Sequence, residues 1–441
     1  MTATAGEAAR LQGAATLDPG ASAPRDFAAL ATRLIASGLV TDPWVDGAPR
    51  FGMTPLQLGA ATAASLARAA EDVAAVAHEA VLLVMDEPAL LDEFFGLTPA
   101  QQAMFAASAP AWHGIARADV FLVDDGAGGQ TPVVCELNAD TPSGQAEAVL
   151  LGDALGVPEE RDPNRGLEAR FGQLLTRALA DVRRVNRGAR PVLGIVYPTE
   201  VAGDFGLVRL YQRWATARGF DVRLGSPFNL TATEDGGVAL FGQRCDLILR
   251  HYKTDWWGER LPIWSDEDPY PDAEPLAGPL AVVLRAATAR RCGVINPFGA
   301  VLPQNKRLFA FFWEEIARFS AESQACIRAH VPFTMRLEAA DLAAMRADRA
   351  QWVMKSDYGC EGEEVIVGAE VNDDEWAEAL ALALPRRFVA QRYFSATRNR
   401  AGDIVNHGVY LVGGQAAGIY ARAAAGSTDV GARSVAVEIV P

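Results

Sequence analysis

Hydrophobic and polar positions divide the chain into a helical first quarter and a strand-rich remainder. Residues 26–110 are rich in Ala and Leu, and their apolar positions recur at the spacing of an amphipathic helix. Thr54 and Pro55 have the residue types of a helix cap and first turn, so a helix is predicted to begin there. We therefore expect residues 1–110 to form a mostly helical region that buries its apolar stripe in a core.

From Arg117 the pattern changes to alternation with a period of two. The segments RADVFLVD and TPVVCELN are predicted strands, and the glycine-rich DGAGGQ between them is typical of a hairpin connection. Helical spacing follows at 144–154 and 165–186, so residues 111–190 are predicted to form the hairpin and its following helices. Residues 191–300 then alternate strand, helix and strand, which predicts an open α/β subdomain.

Residues 301–441 mix helices and strands without that alternation. NKRLFAFFWEEIARF is a predicted helix, QWVMKSDYGCEGEEVIVG contains two strands around a glycine loop, and RFVAQRYF is a strand. GVYLVGGQAAGIYARA is a predicted hairpin that turns at Gly413 and Gly414. Helices that cover an antiparallel sheet make an α+β lobe. The predicted fold class is therefore α/β together with α+β.

Composition and charge narrow the function. The 441 residues are 50% hydrophobic, enough for two or three structural units around sizeable cores. A net charge of −15 argues against broad binding to nucleic acid or to an anionic membrane, because both need a basic surface. The five cysteines include no CxxC pair, which predicts neither a disulfide framework nor a zinc site. With no apolar leader or membrane span in the sequence, we expect a cytoplasmic protein.

Polar side chains interrupt both strands of the predicted hairpin. Alternation places Arg117 and Asp119 on one face of the first strand. If the hairpin is centred between residues 127 and 128, Asp119 falls opposite Glu136, and Arg117 falls opposite Asn138. Two opposed carboxylates repel, so they need a cation between them or basic partners beside them. Mg²⁺ is the natural ion because it prefers hard oxygen ligands, and the alternative is an Arg-Asp-Glu salt-bridge cluster in which Asn138 caps the turn.

Two further polar features have open interpretations. The turn DTPSG leads from the hairpin into a helix, where Thr141 or Ser143 can cap free backbone N–H groups. The same N–H groups can instead hold a carboxylate or phosphate. Gln391 is the single polar residue within an apolar strand, and its amide could bind an adenine edge or a neighbouring loop.

Only three of the 40 basic residues are lysines. A background that favours arginine should keep lysine mainly where a compact ammonium group is required. Lys355 ends a predicted strand before a loop with Gly359 and Gly362, which would place one positive charge and a row of N–H donors around a triphosphate. Lys306 opens a helix, where a lysine is unfavourable unless an anion lies near. Lys253 is interpreted as a solvated loop residue.

Taken in order, these segments resemble the glutathionylspermidine synthase-like family of circularly permuted ATP-grasp ligases. The resemblance runs from about residue 110 to the C-terminus, and it rests on RAD at 117–119, ELNADTPS at 136–143, Asn305 and Lys306 before a Trp-containing helix, Lys355 before its glycine loop, and AAGIYAR at 416–422. The sequence departs from the family pattern at Cys360, where the loop usually carries arginine, and at Ala423, where glutamate is usual. The Pro-His pair that the family has near its C-terminus is also missing.

The resemblance implies a reaction in which ATP and Mg²⁺ phosphorylate a carboxylate that is then joined to an amine. The roles that it implies are Mg²⁺ binding by Asp119, Glu136 and Asn138, stabilisation of the phosphorylated intermediate by Arg117, contact with the acceptor carboxylate by Thr141 and Ser143, phosphate binding by Lys306 and Lys355, adenine contact by Gln391, and contact with the transferred phosphoryl group by Arg422.

The sequence therefore predicts an ATP- and Mg²⁺-dependent carboxylate-amine ligase, with a small-molecule or peptide carboxylate and an amine as substrates. Phosphoryl transfer depends on positioning and charge neutralisation rather than on a protein nucleophile, so oxygen ligands, lysines, arginine and N–H donors suffice for it. Two alternatives stay open. One is a nucleotide-binding regulatory or scaffold protein without ligase activity, suggested by Cys360. The other is an ATP-dependent phosphotransferase that acts on a small molecule.

Overall fold

A computed structural model of the chain describes residues 24–185, 188–258, 276–359, 365–384, 387–426 and 431–441. Its α-helices are α1 (Phe27–Ala36), α2 (Ala60–Asp86), α3 (Leu90–Glu93), α4 (Pro99–Ser108), α5 (Gln145–Leu155), α6 (Leu167–Ala180), α7 (Phe205–Ala217), α8 (Thr254–Gly258), α9 (Ala277–Thr288), α10 (Val301–Gln304), α11 (Arg307–Glu314), α12 (Ala321–His330), α13 (Leu342–Ala347) and α14 (Asp373–Ala383). Its strands are β1 (Trp44–Val45), β2 (Ala48–Pro49), β3 (Leu56–Gly59), β4 (Ile115–Asp124), β5 (Gln130–Asn138), β6 (Val192–Val196), β7 (Asp221–Gly225), β8 (Leu230–Ala232), β9 (Val238–Leu240), β10 (Gln243–Cys245), β11 (Leu247–Arg250), β12 (Gly293–Ile295), β13 (Thr334–Arg336), β14 (Trp352–Ser356), β15 (Val365–Val367), β16 (Phe388–Arg392), β17 (Ile404–Val412), β18 (Gln415–Ala424), β19 (Arg433–Val435) and β20 (Val437–Val440).

An antiparallel five-stranded sheet, in the order β19-β18-β17-β4-β5, contributes to the two largest hydrophobic cores. One face packs on α2, a 27-residue helix with no internal Gly or Pro, whose Val73 and Ala77 are fully buried. Neither α2 nor any other helix in the described part of the chain is both long and apolar enough to cross a membrane. The other face turns toward α5 and α6, and its polar positions carry the candidate site.

A parallel four-stranded sheet, in the order β12-β11-β6-β7, lies within residues 191–300 and has the strand arrangement of an open α/β subdomain. The bounds of that subdomain stay a prediction. The two central strands of the sheet, β6 and β11, are buried along their whole length, as expected of a parallel sheet covered on both faces. From β6 the chain goes to one side to form β7 and later to the other side to form β11. The carboxyl ends of β6 and β11 therefore flank a topological switch point, where open α/β sheets bind ligands. The small antiparallel sheet β10-β9-β8 between β7 and β11 was not predicted.

A second four-stranded sheet, in the order β13-β16-β14-β15, is antiparallel, as in the α+β lobe that was predicted for residues 301–441. It has a core of its own, built around Trp352, Met354 and Trp376. The β17–β18 hairpin turns at Gly413 and Gly414 as predicted, but it joins the five-stranded sheet, where β17 pairs with β4. A strand from the predicted last domain thus pairs with a strand from an earlier one. The domain boundary at residue 301 stays a prediction.

The predicted start of the first long helix is wrong. Instead of capping a helix, Thr54 and Pro55 precede β3, which pairs in parallel with β20. The amide of Leu56 donates to the carbonyl of Ala436 at 2.8 Å. Helix α2 then begins at Ala60 with Gly59 at its N-cap. Pairing with a strand near the C-terminus therefore outweighs the local helical signal.

Candidate active site

The β4–β5 hairpin has the pairing that was predicted from alternation. Arg117 lies opposite Asn138, and Asp119 lies opposite Glu136. The turn, however, is centred on Ala127, half a residue earlier than expected, because Asp124 pairs with Gln130. A register shift between Asp119 and Val120 restores the predicted partners, and the extra residue on β5 is at position 135.

Asp119 is held from two sides within the sheet. The Arg117 guanidinium donates to both of its oxygens, with Nε 2.7 Å from Oδ1 and Nη2 3.1 Å from Oδ2. The amide Nδ2 of Asn406 on β17 donates to Oδ2 at 3.2 Å. Burial would raise the pKa of Asp119, but the charge and hydrogen bonds of Arg117, with smaller contributions from Arg422 and Asn406, bring that pKa below its ordinary value. Asp119 is therefore a carboxylate at neutral pH.

Glu136 has a basic partner of its own. Its Oε1 lies 3.7 Å from Nζ of Lys306. Asn138, in the amide orientation that satisfies its neighbours, donates to Oε1 of Glu136 at 3.2 Å and accepts from Nη2 of Arg117 at 3.3 Å. Each of the two opposed carboxylates thus faces a different cation. The salt-bridge cluster considered from the sequence is present, although Asn138 takes part in it rather than capping the turn.

The donor set fits a hard divalent cation. Asp119 and Glu136 supply carboxylates, and Asn138 supplies an amide on the same face. In the described part of the chain, no three His, Cys, Asp or Glu side chains come together as a metal cluster. The available ligands are therefore two carboxylates and amide oxygens, which suit Mg²⁺ with retained waters and substrate phosphates rather than zinc.

Arg117 also fixes the turn that follows the hairpin. Its Nη1 donates to the carbonyl of Ser143 at 3.0 Å, and the hydroxyl of Tyr410 donates to the same carbonyl at 2.8 Å. Helix α5 begins after Gly144, and within the described residues no side chain caps it. Of the two interpretations left open for this turn, capping of the helix by Thr141 or Ser143 is therefore wrong, and the first N–H groups of α5 keep their hydrogen-bonding capacity for another group.

Two of the three lysines converge on β5. The ammonium group of Lys306, at the N-cap of α11, donates to the carbonyl of Gly359 and lies beside Glu136. Nζ of Lys355, on β14, donates to the carbonyl of Cys135 at 3.4 Å. Both lysines are buried. The structure therefore brings residues separated by about 170 to 220 positions in the chain to one strand, as the predicted phosphate site requires.

Comparison with known proteins identifies the family. Residues 53–436 match the model of the glutathionylspermidine synthase preATP-grasp family. The chain belongs to this family. In structure it is similar to a glutathione synthetase-like effector from Globodera pallida in its apo form, with a TM-score of 0.58, 11% identity, and coverage of 94% of this chain and 96% of that chain. A putative gamma-glutamylcysteine synthetase from Methylobacillus flagellatus KT gives a TM-score of 0.44 at 13% identity, with 85% of each chain covered. No curated protein matches the chain in sequence.

The resemblance found in the sequence is thereby confirmed, and so is the mixed α/β fold class. Membership in the glutathionylspermidine synthase family supports a carboxylate-amine ligase at the level of the family. The assignment of individual side chains to metal, nucleotide and substrate stays a prediction.

The remaining predicted nucleotide residues have different positions. Arg422 on β18 lies opposite Asn406 and within electrostatic range of Asp119, so it belongs to the same face. Gln391 is buried in the second antiparallel sheet, where its Nε2 donates to the hydroxyl of Thr334 at 3.1 Å. This protein partner lies on strand β13, whereas the alternative to adenine contact expected a neighbouring loop. Contact with adenine stays a prediction. Gly362 and Cys360 lie outside the described residues.

Sequence reasoning missed the residues that hold the turn after β5. Asp140 forms an ion pair with Nη2 of Arg250 at 2.5 Å and accepts from the backbone and hydroxyl of Thr254 at 2.6 and 3.1 Å. The amide of Asn296 donates to the carbonyls of residues 115, 139 and 140. These bonds join the hairpin of this family member to the parallel sheet. The available signal was Asn296, a polar residue directly after the short apolar strand β12.

A second missed residue lies at the switch point of the parallel sheet. Asp255 follows the carboxyl end of β11, beside Lys253, whose ammonium lies 4.6 Å from the centre of the Trp256 ring. Burial raises the pKa of Asp255 to about 7, while Lys253 opposes this rise and the carboxylates of Asp140 and Asp357 add to it. Lys253 is therefore a half-buried loop residue beside Trp256, and its charge acts on Asp255.

Proposed function

We propose that the protein is an ATP- and Mg²⁺-dependent ligase that joins a carboxylate to an amine through an acyl phosphate. Two opposed carboxylates, Asp119 on β4 and Glu136 on the edge strand β5, lie together, and two of the three lysines, Lys306 and Lys355, contact β5. This arrangement is the observation that carries the proposal. Oxygen ligands beside buried ammonium groups are the arrangement that phosphoryl transfer needs. Family membership supports the same reaction class.

In this proposal Asp119, Glu136 and Asn138 hold Mg²⁺, and the ion would neutralise charge that develops on the transferred phosphoryl group. Lys306 and Lys355 bind the phosphates, exchanging the carbonyl oxygens of Gly359 and Cys135 for phosphate oxygens. A phosphate is a stronger partner for an ammonium group than a neutral carbonyl, so this exchange favours the nucleotide. The backbone of Gly359 and Gly362 and the amide of Gln391 would line the nucleotide.

We propose that the carboxylate substrate binds at the turn before α5. Thr141, Ser143 and the uncapped N–H groups of that helix would bind it, since a helix N-terminus stabilises an anion. One carboxylate oxygen attacks the γ-phosphorus of ATP and ADP leaves. Arg117 on β4 and Arg422 on β18, the strands on either side of β17, would stabilise the acyl phosphate. The amine nitrogen then attacks the acyl carbon, and inorganic phosphate leaves.

Asp255 is the group that we propose as the acceptor of the proton from the amine substrate. An amine must be neutral to attack, so it has to give up a proton. A carboxyl group with its pKa raised to about 7 is matched to that transfer at neutral pH, and the switch point of an open α/β sheet is where a substrate is expected to enter. Asp140 is hydrogen-bonded to Thr254, the residue before Asp255, so the amine site would adjoin the carboxylate site.

The test is ADP release over a panel of amino acids, short peptides and polyamines, each offered with candidate carboxylates. With the active pair, a carboxylate labelled with ¹⁸O should transfer one label to inorganic phosphate, because the oxygen that attacks ATP leaves with the phosphate. ADP release without label transfer, or label transfer without an amide product, would contradict the proposal. Tight ATP binding with no turnover would favour a nucleotide-binding protein without ligase activity, the candidate to which Cys360 points.

A further inference from the structure

Asn406 has a buried side-chain amide in which the nitrogen is hydrogen-bonded and the oxygen is not. It lies on β17 with 5% of its surface exposed, and its Nδ2 donates to Oδ2 of Asp119 at 3.2 Å. Its Oδ1 is buried and has no hydrogen-bond partner among the described residues. The amide cannot be reversed, because reversal would place its oxygen against the carboxylate. The unpaired atom is therefore an oxygen, and a buried carbonyl oxygen of this kind calls for a partner.

The position of Asn406 in the sheet places that oxygen on the face of the candidate site. Gly408 lies directly opposite Asp119, so Asn406, two residues earlier on β17, shares a face with it and is diagonal to Asp119. Across the other edge of β17, Asn406 pairs with Arg422. The oxygen groups of this face therefore come from three adjacent strands: Glu136 and Asn138 on β5, Asp119 on β4, and Asn406 on β17.

Arg422 is the nearest basic residue in register, yet it does not satisfy this oxygen. Among the described residues no hydrogen bond joins the Arg422 guanidinium to Asn406, although its charge acts on Asp119. An oxygen that neighbouring N–H donors leave unbonded, beside the carboxylate of Asp119, is suited to a hard cation.

We propose that Oδ1 of Asn406 is a further oxygen ligand of the divalent cation, in addition to Asp119, Glu136 and Asn138. The inference depends on the cation site of the proposed function, but not on the reaction. Asn406 would then act in two ways, with its N–H group holding Asp119 and its oxygen meeting the ion. The rival explanation is that Asn406 only positions Asp119 through its N–H group.

Two substitutions separate these explanations. Asn406→Asp loses the donor but keeps an oxygen in the same place, whereas Asn406→Leu has a similarly branched, somewhat larger side chain and neither group. Binding of Mn²⁺ to the full chain, with the non-hydrolysable β,γ-imido analogue of ATP present, is measured by electron paramagnetic resonance. We expect Asn406→Leu to bind Mn²⁺ about tenfold more weakly or worse, and Asn406→Asp to bind it at least as tightly as the wild type. If Asn406→Asp binds as weakly as Asn406→Leu, or if Asn406→Leu binds like the wild type, the inference is wrong.

Stability supplies a readout that does not depend on the leucine variant folding. In Asn406→Asp a new carboxylate faces Asp119, so the melting temperature without metal should fall, and Mn²⁺ should raise it by more than it raises that of the wild type. An equal or smaller rise would overturn the inference. Asn399→Asp adds the same charge in the loop before β17 and should not change Mn²⁺ affinity. Tight Mn²⁺ binding together with no ADP release on any substrate would reject the proposed reaction while leaving this inference intact.

Discussion

Arg117 and Asp119, two residues apart on β4, form a buried ion pair with two points of contact, Nε to Oδ1 at 2.7 Å and Nη2 to Oδ2 at 3.1 Å. Strand alternation puts both side chains on one face, so the pair forms within a single strand. The same guanidinium donates to the carbonyl of Ser143 and so ties Asp119 to the turn before α5. Asp119 is therefore a structural residue as well as a proposed cation ligand.

Substitution of Asp119 should accordingly destabilise the folded protein as well as inactivate it. We expect Asp119→Asn to lower the free energy of unfolding by about 3–5 kcal/mol, because the buried Arg117 guanidinium loses its counter-charge. Urea denaturation measures this change. The double variant Arg117→Met, Asp119→Leu removes both charges of this pair and should be more stable than the single variant. If Asp119→Asn is as stable as the wild type, the ion pair does not contribute to the folded state.

Glu136 gives a cleaner test of the chemistry. Its side chain is 22% exposed and its contact with Lys306 is long, at 3.7 Å, so little stability depends on it. We expect Glu136→Gln to reduce ADP release by about 10²–10³-fold, the usual cost of removing one electrostatic group from an active site. The free energy of unfolding should change by less than about 1 kcal/mol. Glu168→Gln, which removes an exposed carboxylate paired with Arg218, is the control and should keep full activity.

Full ADP release by Glu136→Gln would remove this residue from the proposed site. A loss of activity in Glu168→Gln of the same size would instead show that the assay responds to general changes of surface charge. The comparison depends on both variants having the melting temperature of the wild type.

Gly408 makes room for Arg117. A Cβ atom at position 408 would lie 2.7 Å from Cδ and 3.1 Å from Nε of Arg117, with backbone of residue 420 on its other side. We expect Gly408→Ala to lower the free energy of unfolding by about 1–3 kcal/mol and to reduce ADP release, because Arg117 must move away from Asp119 and Ser143.

Gly278→Ala is the control, since a Cβ there meets no atom within 4 Å. It should leave stability unchanged or raise it by about 0.4–1 kcal/mol. Wild-type behaviour of Gly408→Ala would show that Arg117 tolerates another position.

The sequence was sufficient to predict the hairpin half of the site because its pairing is local. Arg117, Asp119, Glu136 and Asn138 lie within 22 positions, and alternation alone puts them on one face. The predicted partners are correct even though the predicted turn centre is not, because the bulge at Cys135 compensates for the shift. A register error of this size would otherwise have turned Glu136 to the opposite face of the sheet.

The other half of the site could not be predicted, because it depends on pairing between distant segments. Asn406 and Gly408 meet Asp119 only because β17 pairs with β4, about 290 residues earlier in the chain. No periodicity within a short window reports such a contact. Lys306 and Lys355 were found for a different reason, namely the scarcity of lysine among the basic residues. The same signal applied to Lys253, but its sequence neighbours gave no reason to place it at a switch point.

Asp255 predicts a specific dependence on pH. Its pKa is raised to about 7 from an ordinary value of 3.8, so between about pH 4 and pH 7 the folded protein keeps a proton that the unfolded chain has lost. The free energy of unfolding should therefore fall as the pH rises through this window and level off above about pH 7. Asp255→Asn has no proton to lose at this position and should lack that part of the fall, whereas the exposed substitution Asp221→Asn should keep it. Urea denaturation at a series of pH values measures the difference.

If the carboxylate also accepts the proton of the amine, ADP release by the wild type should rise with a midpoint near pH 7, and Asp255→Asn should be slow without that midpoint. Identical pH profiles for Asp255→Asn and the wild type in both measurements would mean that Asp255 titrates as an ordinary surface carboxyl and that the amine loses its proton elsewhere.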